Sequence, residues 1–164
     1  MTRLASTLAL AAVAACLTAM GGSVASGAAP ATTVITVRSV TTATIPSDKP
    51  PKGASKGDRL LLRDRLVNVA RQFGKPPGAV VGRDEGVILL TGPNSGTFEG
   101  LTTLPGGTLR LHGVIRNGTL TFSVVGGTGR YAHARGTIDV GSGKSPLNTY
   151  HLTLGTKTPV SPVV

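Results

Sequence analysis

An acid stands among leucines in the stretch 58–68. Leu60, Leu62, Asp64 and Leu66 share one parity and Arg59, Arg63 and Arg65 the other, which turns the leucine face inward and the arginine face to solvent. A carboxyl on an inward face is either paired in a hydrogen-bond or ion-pair network or kept as a proton donor or base. Other chemistries fail on residue type. His112, His133 and His151 have no metal-ligand spacing, and no G-x-S-x-G segment supplies a nucleophile elbow. The single cysteine, Cys16, lies in an N-terminal apolar run, so the body has no thiol nucleophile, disulfide or Cys-ligated zinc. Gly126-Gly127-Thr128-Gly129-Arg130 lacks both the Lys-Ser/Thr ending of a phosphate loop and a following helix pattern. No motif asks for a cofactor or a metal.

The elements that must position such residues are short strands. With 164 residues, 23 Gly and 11 Pro, the chain has the length of one domain and too many helix breakers for a bundle. Apolar residues recur with period two between turn signals, predicting strands over 33–41, 58–68, 78–91, 97–104, 107–116, 119–125, 134–141 and 147–155. Asn117-Gly118 suits a type I′ hairpin turn, and Pro105-Gly106 makes a second tight connection, so the middle strands form an antiparallel meander. In the strand 78–91, Gly82 and Gly86 share a face with Asp84 and Ile88. Glycines inside a strand mark a bend or the close approach of a ligand or backbone, which predicts a curved sheet with an open interior.

Arg3, the apolar run from Leu4 to Met20 and the small residues that follow read as a secretory signal over 1–25, with export of the single domain 26–158. Retention through a lipidated Cys16 is the alternative. Residues 42–57, rich in Pro, Lys, Ser and Gly, are expected to form a long loop, and 159–164 a patternless tail. The formal net charge of +10 predicts attraction to polyanions such as anionic cell-wall polymers. Only 3% of the residues are aromatic, too few for the stacking that strand-based nucleic-acid binders use, which argues against a specific nucleic-acid partner.

The block VVGGTGRYAHARGTIDV, Val124 to Val140, resembles the closing segment of the allene oxide cyclase and dirigent barrel families, with Val80 to Gly86 and Leu104 to Thr108 agreeing in order and spacing. The resemblance implies an all-β, eight-stranded antiparallel up-and-down barrel, calycin-like, with an apolar lumen, and a homo-oligomer, although no residue here identifies an interface. It also implies a lumen that holds a hydrophobic small molecule and guides its cyclisation or coupling, in the manner of an isomerase. Dirigent proteins place acids and an arginine in the lumen; Asp64, Asp84 and Arg135 are the available analogues, with Leu62, Gly82, Gly86, Ile88 and Tyr131 as ligand contacts. The first strand lacks the Glu and Asn of the plant cyclases, and their third-strand Cys position falls near Ile88, so allene oxide cyclase activity itself is not expected. The competing expectation is a basic cell-envelope scaffold or polyanion binder without catalysis.

Overall fold

The computed structural model describes residues 31–143 and 146–155. The expected signal segment with Cys16 and the C-terminal tail lie outside these residues. Eight strands follow one another: β1 (Ala31–Ser47), β2 (Arg59–Asn68), β3 (Val80–Gly92), β4 (Ser95–Leu104), β5 (Gly107–Arg116), β6 (Thr119–Gly127), β7 (Arg135–Val140) and β8 (Leu147–Leu154). Each pairs antiparallel with the next, and β1 closes on β8, giving a complete barrel in sequence order. Closure leaves no sheet edge open for pairing with another chain. The expected fold class and most strand limits hold.

β1 is longer than expected. Residues 42–47, placed in the loop 42–57 by composition, continue the strand and pair with β2, Thr44 opposite Leu62 and Ser47 opposite Arg59. The β-branched Thr42, Thr44 and Ile45 suit an extended chain, and a register shift between Thr41 and Ala43 lets the strand bend without breaking. The remaining connection is short and pinned. The Asp58 carboxylate accepts the Lys49 N–H at 2.8 Å, the Ser55 N–H at 2.7 Å and the Ser55 hydroxyl at 3.2 Å, and the two backbone donors hold it below its ordinary carboxylate range.

Alternation decides what fills the interior. Ile35, Val37, Leu66, Val81, Leu104, Leu109 and Leu152 are all buried and concentrate toward the end of the barrel where β2, β4 and β6 finish. Each such side chain contributes about 1.5–3 kcal/mol by leaving water. The GGTG block plugs this end. After β6 the chain makes a 3-10 turn, Gly129–Tyr131, whose Arg130 N–H donates to the Gly106 carbonyl at 2.9 Å, while Thr128 N–H donates to the Thr108 carbonyl at 2.9 Å. Tyr131 is fully buried beneath it and donates its hydroxyl to the Pro105 carbonyl at 3.3 Å. Both hairpin turns have the expected chemistry: Asn117 and Gly118 take φ of 51° and 77°, and Gly106 takes 95°.

Candidate functional site

Beyond the plug the barrel is hollow. A cavity of about 390 Å³ is walled by Leu62, Phe98, Leu111, Leu120, Phe122 and Ile138, with Val140 and Pro146 at its rim. Phe98 shapes it. A Cβ at Gly86 would overlap its ring, and Cβ atoms at Gly100 and Gly113 would come within 2.6 and 2.9 Å of its side chain, so three glycines on adjacent strands make the bed in which it lies. Phe122 meets it edge to face, ring centroids 5.1 Å apart. Phe98→Ala is expected to cost about 3–5 kcal/mol in urea unfolding, because three glycines cannot refill the space.

The cavity floor is polar. Asp64 on β2 and Asp84 on β3 are direct cross-strand partners, so the two carboxyls enter the lumen side by side. Across the lumen, Tyr150 of β8 donates its hydroxyl to Asp84 Oδ2 at 3.2 Å, and the Thr102 hydroxyl of β4 lies 3.4 Å from the same phenol oxygen. Ser39 and Asn148 complete the floor. Ser39 Oγ, Asp64 Oδ1, Asp84 Oδ1 and Asn148 Oδ1 are buried without a hydrogen-bond partner in the protein. Buried polar atoms are nearly always satisfied, so four open ones in one cavity mark a place built for something polar.

Electrostatics follow from the burial. Desolvation pushes the Asp84 carboxyl up to about 6, against hydrogen bonds from Thr102 and Tyr150 that favour its ionised form, and the Asp64 charge pushes the same way as burial. The Tyr150 phenol is raised well above its ordinary value, first by burial and then by the Asp84 charge, so it remains a donor at any physiological pH. A carboxyl that titrates close to neutrality, in an apolar cavity and held by a permanent donor, can both give and take a proton there.

The residues singled out in the sequence divide. Asp64, Asp84, Leu62 and Gly86 meet at this cavity. Ile88 lies one inward step further along β3 and lines a second cavity of about 390 Å³, with Leu60, Leu90, Ile115 and the 48–58 connection. Gly82 does not line this cavity: a Cβ there would overlap the Thr103 carbonyl, so the glycine serves the close approach of β4. Tyr131 belongs to the plug, not to the cavity. Arg135 is on the outside of the barrel, donating to the Ala134 carbonyl at 2.9 Å, since Ala134 and Ile138 take the inward parity of β7. Among the described residues no arginine lines the cavity, so Arg135 does not take the lumenal place expected from the resemblance. Tyr150, Asn148, Ser39 and Thr102 join the site without having stood out in the sequence. Their signal is present as polar residues on apolar parities: Asn148 and Tyr150 alternate into Leu152, and Ser39 follows Ile35 and Val37.

Fold and site together define a closed eight-stranded barrel, plugged at one end, with an acid-floored apolar cavity toward the other. No protein-family description matches the chain, and no curated protein does. Solved structures do. The chain is similar to pyocyanin demethylase, at 23% identity and a TM-score of 0.61 over 74% of this chain and 100% of that one. It is similar to a nonspecific heme-binding cyclase that catalyses a cycloaddition during neoabyssomicin biosynthesis, at 16% identity and a TM-score of 0.58 over 81% and 72% of the two chains. The pterocarpan synthase dirigent protein PsPTS1 matches at 14% identity and a TM-score of 0.55 over 77% and 97%. The fold is thus the one shared by dirigent proteins and barrel cyclases, as the GGTG block implied.

Proposed function

We propose that this protein is an exported barrel that binds a largely apolar small molecule in its lumen and guides its cyclisation or coupling, with Asp84 as the proton-transfer group. The observation that carries this reading is the pair Asp64 and Asp84 at the floor of an apolar cavity, with Tyr150 fixing Asp84 from the opposite wall. The apolar walls restrict a flexible molecule to few conformations, which is the larger part of what a cyclase must do. Asp84 then takes a proton from an attacking hydroxyl and becomes the neutral acid, or gives one to an oxygen that is becoming basic and becomes the carboxylate that the Tyr150 hydroxyl holds. One of the similar structures, the cycloaddition catalyst, is named for a ring-forming reaction, and another is a dirigent protein, which supports the analogy in kind. Export rests on the apolar N-terminal run alone.

Thermal unfolding of the chain from residue 26, at high salt and against phenolics, terpenoids, fatty acids and polyketides, tests the reading. A lumenal ligand at 100 times its Kd adds about 2.7 kcal/mol and raises Tm by several degrees. Arg135→Ala, outside the barrel, leaves that shift intact, whereas Leu62→Arg, which would fill the cavity, removes it. The polyanion reading has its own support in Arg65 and Arg83, exposed cross-strand partners on the outer face of β2 and β3. A Tm that responds only to a polyanion, and only at low salt, would move the function to that face.

A further inference from the structure

Resting on the reading of the lumen as a binding site, we infer that its occupant is an organic cation, a protonated amine or N-heteroaromatic whose N–H meets Asp64, Asp84 and Asn148 while an apolar body fills the rest. What the floor leaves open is acceptors. The unpartnered atoms of Asp64, Asp84 and Asn148 are all carbonyl or carboxylate oxygens, and the fourth belongs to the Ser39 hydroxyl. Asn148 and Ser39 are 7% and 2% exposed, so both are turned away from bulk solvent. The strongest donor nearby, the Tyr150 hydroxyl, is already engaged with Asp84.

Charge points the same way. Among the described residues no Lys, Arg or His lines this cavity, so the two adjacent carboxyls have no internal counter-ion. The Asp64 charge disfavours ionisation of its cross-strand partner Asp84, and a cation between the two carboxyls relieves that cost. An anionic ligand, such as a fatty-acid carboxylate, would meet two carboxyls of like charge and, among the unpartnered atoms, only the Ser39 hydroxyl as a donor. The Phe98 and Phe122 rings add faces on which a cation is favoured. A bare metal ion fits less well: among the described residues no three carboxylate, imidazole or thiolate side chains converge on one point.

The test uses three probes of one shape, naphthylmethylammonium, naphthylmethanol and naphthoate, titrated calorimetrically into the full chain near pH 7.5. The ammonium should bind at least about tenfold tighter than the alcohol, as a charge-assisted pair does over a neutral one, and naphthoate not measurably. Its affinity should rise by about tenfold between pH 5 and pH 7.5, as Asp84 loses its proton near 6. The groups facing Asp84 are Asp64 from β2, Thr102 from β4 and Tyr150 from β8, while Glu85 at the wall pairs with Arg63 outside. The double variant Asp64→Asn, Asp84→Asn should erase the preference and the pH dependence yet still bind the alcohol, which shows that the lumen is intact. Equal affinities for ammonium and alcohol in the unaltered protein would overturn the cation inference and leave the lumenal reading standing. Binding of none of the three would overturn both.

Discussion

Asp84→Asn melts at a higher temperature than the unaltered protein at pH 7.5, and the two converge near pH 4. The ordinary carboxyl value is 3.8, and in the folded barrel Asp84 is pushed up to about 6. The folded state therefore binds the proton more tightly than the unfolded one, and ionisation works against folding. Below about 3.8 both states are protonated and no cost arises; it grows between about 3.8 and 6, and it is full above 6. Two pH units of displacement correspond to about 3 kcal/mol. Asparagine keeps the acceptor for Tyr150 and offers an amide to Asp64, so a gain of about 1–3 kcal/mol is expected, or roughly 3–9 °C in Tm. Denaturant melts at pH 4, 6 and 7.5 read this directly. A variant less stable than its parent at pH 7.5 would mean that the ionised carboxylate is satisfied in the fold. If Asp84 is the proton-transfer group, the same variant loses turnover, so stability and activity move in opposite directions, as is usual where a site holds a costly charge.

Gly129→Ala unfolds far more readily than the parent. Gly129 takes φ of 59° at the head of the 3-10 turn, and an added Cβ would overlap the Gly106 carbonyl oxygen, the acceptor of the Arg130 N–H. The strain of a non-glycine residue at that φ is about 1 kcal/mol, and separating two hydrogen-bonded turns adds to it, for a loss of about 3–4 kcal/mol and roughly 10 °C in Tm. Gly118→Ala is the matched control. Its φ is 77°, but nothing lies within 4 Å of the new Cβ, so only the backbone cost of about 1 kcal/mol is expected. Equal losses in the two variants would show that the β4–β5 turn and the GGTG block do not lock together. A large difference assigns the most conspicuous motif of the sequence to closing the barrel, not to chemistry.

Much of the fold is legible in the sequence because the interior of a barrel imposes period two on every strand, and that period is local. The parity of Leu60, Leu62 and Leu66 is enough to put Asp64 inside, and Asn117-Gly118 requires the turn it makes. The outward position of Arg135 is legible too, since Ile138 sets the parity of β7; the family resemblance, not the residues, placed that arginine in the lumen. Residues 42–47 look like loop by composition because of Pro46 and Ser47, while pairing to β2 makes them strand.

What no local pattern contains is the meeting of residues across the lumen. Asp64 faces Asp84 only through the register of β2 on β3, and Tyr150 reaches Asp84 from a strand that is not its neighbour, 66 residues away in sequence. Which glycine opens the cavity and which merely admits a neighbouring backbone is likewise undetermined by local pattern: Gly86 makes room for Phe98, and Gly82 for Thr103. The sequence by itself determined the strands, the turns and which faces point inward, because those depend on alternation and turn chemistry within a few residues. Only closure of the barrel decided that the inward acids share one cavity floor with a tyrosine and, among the described residues, no counter-ion, because side chains converge across the lumen only once β1 has joined β8.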